Sequence, residues 1–146
     1  KMLVKILESE LNPWAELESY NAHKSYGGKT GAIVTFLGFM RDFNEGDDVV
    51  SMSLEHYPGM TEKTLEKLLS DTRLQWDLLD ALIIHRVGNL KPEDAIVLVA
   101  TWSSHRKEAY ESNRYIMETL KTTAPFWKKE NLLDGSSRWV GKNTPG

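Results

Sequence analysis

The chain has 146 residues, 40% hydrophobic and 27% charged, with a formal net charge of −3 and no cysteine. That length fits one domain able to bury a core without crosslinks, and the missing cysteine removes disulfides, thiolate metal sites and a cysteine nucleophile. No apolar run approaches a membrane span, no signal-peptide pattern opens the chain, and the acidic balance disfavours non-specific nucleic-acid binding, all compatible with a cytoplasmic protein.

Residues 2–7 read as a short strand. Asn12 is placed to cap a helix with Pro13 at its first position, and Trp14, Leu17 and Tyr20 follow. Gly27-Gly28 marks a loop between Lys24 and Thr30. Gly31 to Leu37 is a continuous apolar run, expected as a strand buried on both faces. A polar connection covers Asn44 to Asp48. Val50, Met52 and Leu54 then alternate with Ser51, Ser53 and Glu55, the pattern of a half-buried strand. Pro58-Gly59 ends it, and a helix from about Thr61 puts Leu65, Leu68, Leu69, Thr72 and Trp76 on one face.

Ala81 to Val87 and Ala95 to Trp102 read as two more apolar strands, joined by a turn at Gly88-Asn89 and Lys91-Pro92. A second main helix begins near His105 and buries Ala109, Ile116 and Leu120. Pro125 forbids its continuation. The segment from Phe126 to Val140 reads as a C-terminal β-hairpin around Asp134-Gly135. Strands with two main helices predict an α+β domain with a mixed or antiparallel sheet.

Charge is unevenly placed. The first hundred residues carry ten Lys/Arg against sixteen Asp/Glu, while the remainder carry eight against five. The last third is therefore where an anion would be drawn. There Ser103-Ser104-His105-Arg106-Lys107 joins a buried strand to a helix start, whose free N–H groups and positive dipole end favour an anion. The alternative is a helix merely capped by Ser103 or Ser104, with solvated basic side chains. Arg41 emerges after the Gly31 strand, either at a site or as an exposed arginine.

Lys121 and Lys128 flank the Pro125 break, so the turn can bring them together from different elements. Two such amines are either a solvated edge or a reaction site. Neighbouring cations at Arg41, Arg106 and Lys129 would lower a lysine pKa and free a neutral amine. A helix C-terminus would instead hold Lys121 charged, leaving Lys128 for proton transfer. His56 and His85 read as structural. No histidine pair has metal-ligand spacing, and no nucleophile-elbow pattern supports a serine hydrolase.

Five segments occur in the order and at the spacing of one known family. They are Gly31 to Phe36 with Arg41, Leu54-Glu55-His56-Tyr57-Pro58-Gly59-Met60, Ile84-His85-Arg86-Val87-Gly88, Ser103-Ser104-His105-Arg106, and Lys121 to Glu130. From about Gly31 to Val140 the chain resembles the large, catalytic subunit of molybdopterin synthase. The resemblance implies an α/β-hammerhead type fold and a homodimer that forms the core of a heterotetramer. A small ubiquitin-like sulfur-carrier subunit, MoaD-like with a C-terminal Gly-Gly, would sit at each end.

It implies a sulfurtransferase with no resident cofactor or metal. Sulfur from the carrier's C-terminal thiocarboxylate would be delivered twice to cyclic pyranopterin monophosphate, giving the dithiolene of molybdopterin and opening the cyclic phosphate. Sulfur carried by a partner agrees with a chain that has no thiol. By matching positions, Lys121 and Lys128 are implied as catalytic, with Lys121 facing the carrier's terminal glycine. Arg41, His105 and Arg106 would hold the phosphate and pterin, with Phe39 and Met40 lining the substrate site through their backbone. Lys129 and Glu130 would complete the pocket wall, and some of these residues would act on the neighbouring subunit's site. A docking protein that binds such a tail without turnover is the alternative, and retention of both lysines argues against it.

Overall fold

The computed structural model describes residues 2–141. In chain order the elements are β1 (Met2–Leu7), α1 (Pro13–Ala22), β2 (Ala32–Phe39), β3 (Phe43–Asn44), β4 (Asp47–His56) and α2 (Met60–Gln75). Then follow β5 (Asp80–Arg86), β6 (Gly88–Leu90), β7 (Ala95–Ser103), α3 (Arg106–Thr123), β8 (Phe126–Leu132) and β9 (Ser137–Val140). The α+β expectation holds, with a mixed sheet, the C-terminal hairpin, the two main helices and the shorter helix α1 capped by Asn12 as expected.

The first sheet has the order β1-β5-β7-β2, parallel between β1 and β5 and antiparallel elsewhere. Its two central strands, β5 and β7, are buried almost throughout. That is why Ala81 to Ile84 and Val97 to Trp102 read as unbroken apolar runs. On one face α2 and α3 pack Leu65, Leu68, Leu69, Ile116 and Leu120 against Ile83, Val97 and Val99. On the other, Leu11 and the α1 residues Leu17 and Tyr20 cover Leu82, Leu98 and Trp102.

The second sheet is built on β4, which pairs with β8 along one side and with β3 and β6 along the other, while β9 pairs with β8. A third apolar cluster of Met40, Val49, Met52, Leu54, Val87 and Leu90 lies beneath it, with Ile6 and Ile96 of the first sheet packed against it.

Three expectations are corrected. The strand over residues 31–37 is not buried on both faces, because β2 is the edge of its sheet, and Ile33 and Phe36 stand 44% and 40% exposed. Val50 points outward rather than alongside Met52 and Leu54, because the register slips between Val49 and Ser51 and Val49 takes the inward place. The connection at Gly88-Asn89 is itself a short strand, β6, hydrogen-bonded to β4.

Candidate active site

Helix α3 ends where Pro125 requires. Ala124, the residue before it, is extended at φ −70° and ψ 135°, and its N–H still donates to the Leu120 carbonyl. The break is pinned from outside, since buried Thr61 donates through Oγ1 to the Pro125 carbonyl at 3.2 Å. Beyond it β8 runs back against β4, with His56 opposite Phe126, Leu54 opposite Lys128 and Met52 opposite Glu130. Residues two apart share a face of a strand, so Phe126, Lys128 and Glu130 project together over the buried Met52 and Leu54.

Two adjoining hollows open there, of about 330 Å³ and 90 Å³, and both have Met52, Ile96, Lys121 and Lys128 in their walls. His85, Phe126, Trp127 and Val140 further bound the larger one. Phe39, Met40, Arg41, Asn44 and Glu130 bound the smaller. The two lysines thus come together from α3 and β8 at the junction of both hollows.

Burial is the main cause that lowers the Lys121 pKa, followed by the charges of Lys128 and Arg41, with Glu118 opposing. Burial and the neighbouring cations thus act against the helix C-terminus, which by itself would favour the charged amine. Lys128 is lowered chiefly by burial and also by Arg41, while Glu130 pulls the other way. Both amines therefore yield a neutral, proton-accepting form more readily than a surface lysine does.

Glu130 is buried at 4% exposure and accepts hydrogen bonds from Asn44 Nδ2 at 2.9 Å and Arg138 Nε at 3.1 Å. Arg138 also reaches Asp47 at 2.8 Å and the Asn44 carbonyl at 3.0 Å, locking the β3–β4 turn to β8 and β9. Arg41 is exposed and lies over the Phe43 ring, 4.7 Å from its centroid. Met40 is buried, and its backbone is tied to the turn before β7 by bonds with Asp94 and Glu93.

Three residues named from the sequence lie elsewhere. Lys129 falls on the opposite face of β8, its amine 5.8 Å from the Trp139 ring centroid. His105 and Arg106 are exposed at the start of α3. Fifteen residues separate Arg106 from Lys121, roughly 22 Å along a helix axis, and neither His105 nor Arg106 lines either hollow. Neither serine caps that helix. His105 is the N-cap and makes no side-chain cap bond, while buried Ser103 donates to the Asp77 carbonyl at 3.0 Å.

Sequence reasoning did not bring His85 to the larger hollow, nor Asn44 and Arg138 to Glu130. Asn44 and Arg138 come from distant segments and carry no shared spacing. His85 had a weak signal, a titratable group inside an otherwise apolar run. Among the described residues, no three His, Cys, Asp or Glu side chains group to hold a metal ion, and no helix is long and apolar enough to cross a membrane.

The family model described as MoaE protein matches residues 11–123. The molybdopterin synthase catalytic subunit of Ralstonia nicotianae is 47% identical over 137 residues, which is 94% of this chain and 76% of that relative. The crystal structure of molybdopterin synthase from Staphylococcus aureus superposes with a TM-score of 0.81 at 32% identity, covering 94% of this chain and 96% of that one. A protein–protein complex of subunits 1 and 2 of molybdopterin-converting factor from Helicobacter pylori shares the fold at 19% identity, with a TM-score of 0.78 over 97% and 92% of the two chains.

Proposed function

The chain belongs to the MoaE protein family, and from that premise we propose that the paired hollows around Lys121 and Lys128 are where sulfur changes hands. The protein is a sulfurtransferase of the molybdopterin synthase class, acting as the catalytic subunit. It converts cyclic pyranopterin monophosphate to molybdopterin with sulfur from the C-terminal thiocarboxylate of a small carrier subunit. In each delivery a carbon–sulfur bond forms to the pterin substrate, and water cleaves the sulfur from the carrier's acyl carbon, leaving the carrier as a carboxylate.

The observation that carries the site is the convergence of two half-buried amines of lowered pKa on one junction, with a guanidinium beside them. The larger hollow, walled by Phe126, Trp127 and Val140, suits a slender peptide end. The smaller, with Arg41 at its rim, suits the anionic substrate. Lys121 then meets the carrier's terminal glycine, and Lys128 moves protons as the carbon–sulfur bonds form.

His105 and Arg106 serve a second copy of the chain. The Gly31 N–H donates to the Ser103 carbonyl at 2.9 Å, which sets the start of the β2 edge beside the start of α3. The exposed Ile33 and Phe36 of that edge give an apolar seam next to His105 and Arg106. A homodimer closed on this seam places them at the partner's hollow, and with two carriers it makes a heterotetramer. A cytoplasmic location fits a substrate and carrier made inside the cell. Reconstitution with thiocarboxylated carrier and cyclic pyranopterin monophosphate tests the reading. Dithiolene product is expected, whereas stable carrier binding without product would leave a docking protein.

A further inference from the structure

Arg86 is the last residue of β5, and the transfer chemistry above leaves it unused. Its side chain is 12% exposed; Nη2 donates to the Asn89 carbonyl at 2.7 Å, and Nη1 stands 3.6 Å from Asp94 Oδ2. Among the described residues, the buried side-chain nitrogen or oxygen without a partner is its Nε. A guanidinium taken out of water with a donor left over is a poor source of stability. What its two contacts do is hold a turn.

That turn is Lys91-Pro92-Glu93-Asp94. The Asp94 N–H donates to the Lys91 carbonyl at 3.0 Å, and the Lys91 N–H donates to Asp94 Oδ2 at 2.8 Å. Pro92 at the second position and a φ of 76° at Glu93 make it type II, whose third position normally goes to glycine. A glutamate there is strained and stays only where its surroundings over-determine the backbone. Asp94 Oδ2, facing both the Lys91 N–H and the Arg86 guanidinium, supplies that restraint.

The same turn grips Met40 by both backbone groups. The Met40 N–H donates to the Asp94 carbonyl at 2.9 Å, and the Glu93 N–H donates to the Met40 carbonyl at 2.8 Å. Just before, the pairing of β2 with β7 slips, Gly38 facing Val97 and Phe39 facing Ala95, so the regular ladder does not carry through to Met40. Arg41 follows directly and bounds the smaller hollow with Lys121 and Lys128. Resting on the reading of that hollow as part of the transfer site, we propose that Arg86 is a positioning residue. Through Asp94 and the type II turn it fixes where Arg41 stands beside the two lysines.

The lysines themselves report that placement. Beyond burial, the charges acting on Lys121 are Lys128, Arg41 and the opposing Glu118, and those acting on Lys128 are the opposing Glu130 and Arg41. Arg41 is the cation that both amines share.

The test is a titration of the carrier-free full chain, followed by NMR of lysine labelled at the ε-carbon, with the two lysines assigned from K121R and K128R. Asp94→Asn keeps an oxygen for the Lys91 N–H and removes the charge that faces Arg86. By its field alone, loss of an anion would lower both lysine midpoints. With Arg41 released toward solvent they are expected to rise instead, by about half a pH unit. Arg86→Gln is expected to raise them by a similar amount. Neither substitution should raise them further in a chain that already carries R41A, because both act through Arg41. Midpoints that stay or fall in D94N would overturn the role, as would an R86Q rise that persists beside R41A. Turnover of the wild type is read separately. Its absence would count against the transfer site itself and leave the titration result standing.

Discussion

Lys121 and Lys128 owe their chemistry to position more than to identity. A lysine in water is charged at neutral pH; here burial and the Arg41 charge make the neutral amine easier to reach. The sign of that coupling gives a prediction. Arg41→Ala removes a cation, so both amines hold their protons to higher pH. The rising limb of the pH–rate profile should move toward alkali, with turnover at pH 7 falling about two- to tenfold from this effect. A limb that stays in place would show that Arg41 acts only as an anion anchor. At this scale the sequence was readable where covalent geometry dictates the outcome. Pro125 had to end α3, and so Lys121 and Lys128 had to flank a turn. Lys129 stands on the other face of β8 from Lys128, a separation that the period-two alternation of a strand already carries. His85 was masked because a histidine inside an apolar run looks the same whether its ring faces the core or a cavity. The Asn44–Glu130–Arg138 lock was invisible, since only the register of the second sheet brings those three together.

The elements hold the site through a few close approaches. A Cβ on Gly31 would lie 1.9 Å from the Ser104 carbonyl oxygen, so this glycine lets β2 pass against the turn that starts α3. Gly31→Ala must push that turn away and should cost about 3 kcal/mol of stability, read as a lowered midpoint in urea. His85 makes β5 sensitive to acid. Its folded pKa of about 4 lies below the ordinary 6.5, so the unfolded chain binds the extra proton first. The stability tied to the neutral ring is whole above pH 6.5 and is lost as pH falls toward 4, by about 3 kcal/mol. Thermal melts should decline through that window, and His85→Phe should flatten this part of the decline. Element types were legible because their periods are strong, as in the Leu65 to Thr72 face of α2. The exposure of β2 was not, because an edge strand with an apolar face has the same composition as a central one. The bulge at Val50 and the three-residue β6 likewise depend on partners that no local pattern names.

At the scale of the molecule, three apolar clusters divide the work. Two hold helices on either face of the first sheet, and the third joins the sheets beneath the lysines. The chain leaves His105 and Arg106 at the far end of α3 from its own hollow, and if they serve the proposed site, they do so from a second copy. Mixing K128A with R106A chains tests this directly. A shared site leaves one working hollow in each mixed dimer, restoring about a quarter of wild-type turnover. A site confined to one chain restores none. The central claim, that sulfur transfer occurs between Lys121 and Lys128, is met most directly by single-turnover reconstitution of K121A and K128A with thiocarboxylated carrier and cyclic pyranopterin monophosphate. Dithiolene formation should fall by about a hundredfold or more in each variant while the carrier still binds. Undiminished turnover in both would contradict it.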